Sequence, residues 1–81
     1  MSEDSEMLKI GYMLQFSEKE KSLDEKLRLV TSYYTRKAGK SPEFIVINDK
    51  VEYPEKFGNV DVLHRKWIMK NYFWVGVYGY G

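Results

Sequence analysis

The last ten residues of the chain alternate between two kinds of side chain, and this alternation constrains the whole fold. A period of two is typical of a β-strand, whose successive side chains point to opposite faces. One set suits a hydrophobic core: Phe73, Val75 and Val77. The other set is aromatic and has a gap at Gly76: Tyr72, Trp74, Tyr78 and Tyr80. We expect the aromatic side either to be covered or to bind a partner, with Gly76 as the point of closest approach.

The length of 81 residues predicts one domain with a thin core. Residues 7–81 form this domain in our interpretation, and residues 1–6 form a disordered polar tail. The chain has no cysteine, so neither a disulfide nor a thiolate metal site can stabilise it. Domains of this size often gain stability from a partner or from self-association.

Net charge and hydropathy argue against several classes of function. The net charge of +1 lacks the basic excess of a strong nucleic-acid binder. No apolar run reaches the roughly 18 residues of a transmembrane helix, so we expect no membrane association. The N-terminus is acidic, unlike a secretory signal peptide, and a cytoplasmic location is the default expectation.

Residues 7–38 predict a strand followed by a helix. Apolar residues occupy every second position of 7–16, which indicates a half-buried strand. Ser17 and Ser22 each begin a Ser-x-x-Glu capping box, and Ser22 is favoured because the apolar period starts directly after it. The helical stripe comprises Leu23, Leu27, Val30 and Tyr34, with Leu29 and Tyr33 at its margin. Gly39 and then Pro42 predict the end of the helix.

Three further strands complete the predicted fold. Residues 43–48 are apolar on both faces and indicate a central strand, while 60–63 begin a third strand that can run on towards Ile68. Residues 72–78 form the last strand. The fold class is therefore α+β, in the order β-α-β-β-β, with one helix packed on a three- to four-stranded, mostly antiparallel sheet. The predicted core comprises Leu8, Ile10, Leu27, Val30, Tyr34, Ile45, Ile47, Val62, Phe73, Val75 and Val77.

A single helix covers only one face of such a sheet. Either Ile45 and Ile47 or Phe44 and Val46 must then lie on the other face, and the sequence leaves this choice open. Part of the last strand must share that uncovered face. We therefore predict a non-enzymatic interaction module, a homodimer or a partner-binding protein, whose interaction face comprises Tyr72, Trp74, Tyr78 and Trp67. The alternative is that these aromatic residues are ordinary cross-strand partners within the sheet.

Residue types that carry catalysis are sparse. His64 is the single histidine, and no nucleophile or paired carboxylate is identifiable beside it from spacing. Zinc requires three or four His or Cys ligands, so no metal site is expected. Phosphate-loop, dinucleotide and nucleophile-elbow motifs are missing from the sequence. We therefore expect no enzymatic activity, no catalytic residue and no cofactor.

Two basic clusters suggest an alternative function. One lies where the helix ends and the other before the last strand: Arg36, Lys37 and Lys40, then Arg65, Lys66 and Lys70. Trp67, Tyr72 and Trp74 accompany the second cluster. Cations hold phosphates while aromatic rings stack on unpaired bases, so weak single-stranded nucleic-acid binding through Arg65, Lys66, Lys70, Arg36 and Lys40 is the runner-up hypothesis.

Overall fold

A computed structural model describes residues 10–16 and 21–78, without the side chain of Ile10. Within these ranges it contains five strands and one helix: β1 (Ile10–Gln15), α1 (Leu23–Ala38), β2 (Phe44–Asn48), β3 (Lys56–Phe57), β4 (Val60–Arg65) and β5 (Tyr72–Val77). Some predictions lie outside the described residues: the disordered tail 1–6, the start of the first strand, the packing of Leu8 and Ile10, and the orientation of Tyr80.

Local capping sets both ends of α1. The Ser22 hydroxyl accepts a hydrogen bond from the Glu25 amide at 3.2 Å, and the Ser22 amide donates to the Glu25 carboxylate at 3.1 Å. This reciprocal pair is the capping box, so the predicted start at Ser22 is confirmed. At the other end Gly39 has φ 78° and donates its amide to the Thr35 carbonyl at 2.9 Å. Glycine adopts this left-handed conformation without a Cβ clash.

The sheet order is β1-β5-β2-β4-β3. Three neighbouring pairs are antiparallel, and β2 with β4 is parallel. The predicted α+β fold, one helix with a mostly antiparallel sheet, is confirmed. The sheet gains a fifth strand because the two residues of β3 pair with Val60 and Asp61, a match too short to leave a periodic pattern. The aromatic strand β5 is interior, between β1 and β2.

The main core lies between α1 and the sheet. Ile45 and Ile47 of the central strand point to the helix, which resolves the open choice of face. Buried residues from α1, β4 and β5 complete the cluster: Leu27, Val30, Tyr34, Val60, Val62, Phe73, Val75 and Val77. Every described residue of the predicted core is therefore buried.

A second, smaller core lies on the opposite face of the sheet. Phe44 and Val46 are fully buried there because Ile68, only 2% exposed, packs on them. The third long strand stops at Arg65 and does not continue to Ile68. The chain turns back instead, and the Asn48 amide donates to the Ile68 carbonyl at 2.7 Å, which holds the turn over the sheet. The cover that a second helix would give thus comes in part from the loop between β4 and β5.

Candidate interaction surfaces

The predicted interaction face is largely part of the second core. Tyr72, Trp74 and Tyr78 are half-buried and pack against Phe44, Val46 and Ile68. The Tyr78 ring lies 5.1 Å from that of Phe44, centroid to centroid. Gly76 is buried and stands opposite Phe44 across the β5–β2 pair, so the expected gap is closed from within the chain. The aromatic side chains of β5 therefore pack mainly within the second core and are only partly exposed.

The loop at residues 66–71 carries the most exposed apolar side chains of the described residues. Trp67 is 57% exposed and Met69 is 69% exposed, on either side of buried Ile68. The sequence predicted Trp67 as a contact residue, whereas Met69 was missed because nothing in the pattern showed where the strand would stop. Arg65, Lys66 and Lys70 add three cations in the same stretch, and the chain has no acidic residue after Asp61. We call Trp67, Met69 and these three cations the loop patch.

Strand β1 forms an edge of the sheet, since among the described residues it pairs with β5 alone. The Phe16 amide donates to the Asn71 carbonyl at 2.9 Å on the β5 side. Because backbone groups alternate in direction along a strand, the amides and carbonyls of Gly11, Met13 and Gln15 point away from the sheet. None of residues 10–15 carries a charge. The outward edge of β1 is thus a row of hydrogen-bonding groups on an uncharged strand.

Exposed apolar side chains flank this edge on both faces. Tyr12 is 40% exposed and lies on the helix side, where its ring meets that of Tyr33 edge-on at 6.3 Å. Leu29, one turn before Tyr33 on α1, is also exposed. Met13, 47% exposed, lies on the opposite face across from Trp74. We call Tyr12, Met13, Leu29 and Tyr33 the edge patch.

The two predicted basic clusters lie at opposite ends of the domain. Leu23, at the start of α1, lines a cavity with Asn48, and Asn48 is in register with Arg65 of β4. Arg65 therefore lies at the N-terminal end of the helix, whereas Arg36 is 13 residues further along it, roughly 20 Å away at 1.5 Å per residue. Lys40 lies just beyond that far end. Arg65, Lys66 and Lys70 thus adjoin Trp67, while Arg36 and Lys40 do not.

His64 lines an open groove of about 440 Å³ along β4, together with Glu55 and Asp61. His64 and Asp61 are three positions apart, so their side chains leave the strand on opposite faces. Asp61 binds Lys56 at 2.7 Å and accepts a hydrogen bond from the Tyr78 hydroxyl at 2.6 Å. These two contacts lower the pKa of Asp61 against a smaller opposing effect of burial. Asp61 therefore holds strands together as an anion.

No cluster of three or more His, Cys, Asp or Glu side chains in residues 10–16 and 21–78 is placed to hold a metal ion. The helix present in the same ranges lacks the length and apolar character needed to cross a membrane. Comparison with protein-family models, curated proteins and solved structures gives no match.

Proposed function

We propose that the protein is a non-enzymatic interaction module that forms a homodimer through β1. The observation that carries this proposal is the uncharged outer edge of β1, where no described strand pairs with the backbone groups and where side chains are exposed on both faces. An exposed edge strand is a template for pairing with another chain. Natural edges are protected by lysine, proline, bulges or a covering segment. Residues 10–15 contain neither a lysine nor a proline.

A second copy suits this edge because of its charge and symmetry. Two identical strands related by a twofold axis pair antiparallel, and each residue then faces its own counterpart or a near neighbour. Residues 10–15 themselves bring no like charges together in that arrangement. The paired sheets would continue across the axis as one sheet of both copies. Tyr12, Leu29 and Tyr33 would meet their counterparts on the helix side, and tyrosine is among the residues enriched at interface hot spots.

The loop patch fits a symmetric contact less well. Two loop patches facing each other would bring Lys66 and Lys70 of one copy close to those of the other. Like charges facing across an interface are unfavourable. Self-association is therefore assigned to the edge patch, and the loop patch is left to a partner that carries negative charge.

Two methionine substitutions test the dimer. Met13→Lys places a charge on the edge of β1, whereas Met69→Lys places the same charge on the loop patch. Met69 is the more exposed of the two side chains, so the control substitution is sterically mild. In sedimentation equilibrium we expect a dimer for the unmodified chain and for Met69→Lys, and a monomer for Met13→Lys. A monomeric unmodified chain, or dissociation caused by Met69→Lys and not by Met13→Lys, would refute pairing through β1.

A second candidate function is weak binding of single-stranded nucleic acid by the loop patch. The observation that favours it is Trp67, largely exposed and followed or preceded within three residues by Arg65, Lys66 and Lys70. Stacking on an aromatic ring contributes about 1–3 kcal/mol per base, and cations hold the phosphates.

Tryptophan fluorescence tests this second function. In a Trp74→Phe variant Trp67 is the single tryptophan, and its emission should be quenched by an oligonucleotide at low salt and recover as salt increases. Arg36→Gln serves as the control because Arg36 lies at the other end of the domain. Unchanged Trp67 emission at low salt, or equal weakening by Arg36→Gln and Lys66→Gln, would exclude the loop patch as the binding surface.

A further inference from the structure

A separate cavity of about 220 Å³ lies where the start of α1, the end of β2 and the start of β5 meet. Four apolar side chains line it: Leu23, Ile47, Val51 and Phe73. Lys26 and Lys70 also line the cavity, and the described residues provide neither of them with an ion pair. Small-molecule sites share this design of apolar walls with a few convergent polar groups.

We propose that this cavity binds a small organic anion, a carboxylate with a compact apolar body. The two ammonium groups would hold the carboxylate through charge-assisted hydrogen bonds, which are stronger than neutral ones. The apolar walls would take the body of the ligand. A neutral ligand of the same shape would leave both lysines without a counter-ion and would bind more weakly.

Asn48 and the two acidic residues of the first helical turn already have partners. Asn48 uses its amide nitrogen for the Ile68 carbonyl and its oxygen for the Lys50 amide. The acidic residues of the first helical turn are engaged as well, since Asp24 accepts from the Tyr53 hydroxyl and Glu25 from the Ser22 amide. Neither carboxylate lines the cavity. The positive end of the α1 dipole lies at the same place and also favours an anion.

The volume limits the ligand class. At about 220 Å³ it is smaller than the roughly 300–1,000 Å³ of sites for drug-sized ligands. A short branched or single-ring carboxylate suits a cavity of this size. Benzoate is therefore a suitable probe, and benzamide is its uncharged counterpart with nearly the same shape.

An NMR titration of the intact chain tests the proposal. Benzoate should shift the amide signals of Val51 and Phe73, and benzamide should bind at least about tenfold more weakly. A Lys26→Met/Lys70→Met variant should lose about tenfold or more in benzoate affinity, whereas Lys40→Met, at the far end of the helix, should bind as the unmodified chain does. All three lysines are at least partly exposed, so the variants are expected to fold, which their amide spectra will show directly.

Three results would overturn the proposal. The first is the absence of any benzoate shift at the cavity residues. The second is equal binding of benzamide and benzoate, which would make the cavity a plain apolar cleft. The third is unchanged benzoate affinity in the double variant, which would remove the lysines from the site. Because Lys26 and Lys70 lie outside the edge patch, none of these results depends on whether the chain dimerises.

Discussion

The hydroxyl of Tyr78 donates a 2.6 Å hydrogen bond to the carboxylate of Asp61, and this bond reaches from the end of β5 over β2 to β4. Phe44 lies beneath it, in register with Asp61 on one side and Gly76 on the other. Lys56 of β3 binds the second oxygen of the same carboxylate at 2.7 Å. One carboxylate therefore joins three strands over the smaller core.

This relationship predicts a component of stability that is sensitive to acid. The pKa of Asp61 is lower in the folded chain than its usual value of about 3.9. Its contribution is therefore complete above that value and is lost as the pH falls below it through the folded pKa. Urea unfolding of Asp61→Asn should show a loss of about 1–2 kcal/mol at neutral pH, and the difference from the unmodified chain should shrink below about pH 4. A difference that is independent of pH would contradict this role.

Ile68 should be the most sensitive residue of its loop. Ile68→Ala removes the side chain that covers Phe44 and Val46, and such truncations of buried residues cost about 2–5 kcal/mol. Met69→Ala is the matched control, since Met69 is 69% exposed and its loss should change the unfolding free energy by less than about 0.5 kcal/mol. Equal effects of the two substitutions in urea unfolding would show that the loop does not cover the second face.

Tyr53 should make stability sensitive to alkali. Burial, and then its hydrogen bond to Asp24, raise the pKa of Tyr53 to about 12. The neutral hydroxyl is favoured in the folded chain, so its contribution is complete below about pH 10 and is lost as the pH rises through about 12. Tyr53→Phe should remove this component and flatten the alkaline limb of the unfolding curve. If the alkaline limb of Tyr53→Phe is as steep as that of the unmodified chain, the loss of stability at high pH has another origin. Tyr34 is then the next candidate, because burial raises its pKa as well.

Glycine is required at position 11 because the backbones of β1 and β5 approach each other closely there. A Cβ built at this position would lie 2.4 Å from the Val75 carbonyl oxygen, a distance that real side chains do not show. Gly11→Ala should therefore displace β1 from β5 and cost about 1–3 kcal/mol. Gln15→Ala on the same strand provides the control, because Gln15 is exposed and lies outside the edge patch. An unfolding midpoint of Gly11→Ala equal to that of Gln15→Ala would show that β1 moves away from β5 without a loss of stability.

The parts of the fold that local chemistry determines were predictable. Ser22 and Gly39 mark the helix ends because their capping requires only residues a few positions away. The two faces of β5 follow from its period of two. The helix-facing side of the central strand was not predictable, since Ile45 and Phe44 are equally apolar and only long-range pairing decides between them.

The candidate surfaces were harder to predict from the sequence than the helix ends and strand faces. Ile68 continues an apolar pattern that resembles the strand before it, and its return over the sheet depends on the distant contact with Asn48. The exposure of Trp67 and Met69 follows from that return. The edge patch requires the strand order, because β1 is an edge only when β5 is interior. The separation of Arg36 and Lys40 from Trp67 likewise depends on the direction in which the helix crosses the sheet.

The position of β5 has a consequence for how the chain folds during synthesis. β1 and β2 are consecutive strands of the chain, yet β5 separates them in the sheet. A nascent chain that ends before residue 72 lacks the strand that joins these two parts. Pairing of this kind, between segments far apart in sequence, is slow and leaves apolar strands exposed meanwhile. We expect the complete sheet to form only after β5 leaves the ribosome. Chaperones can bind the exposed strands β1 and β2 until then.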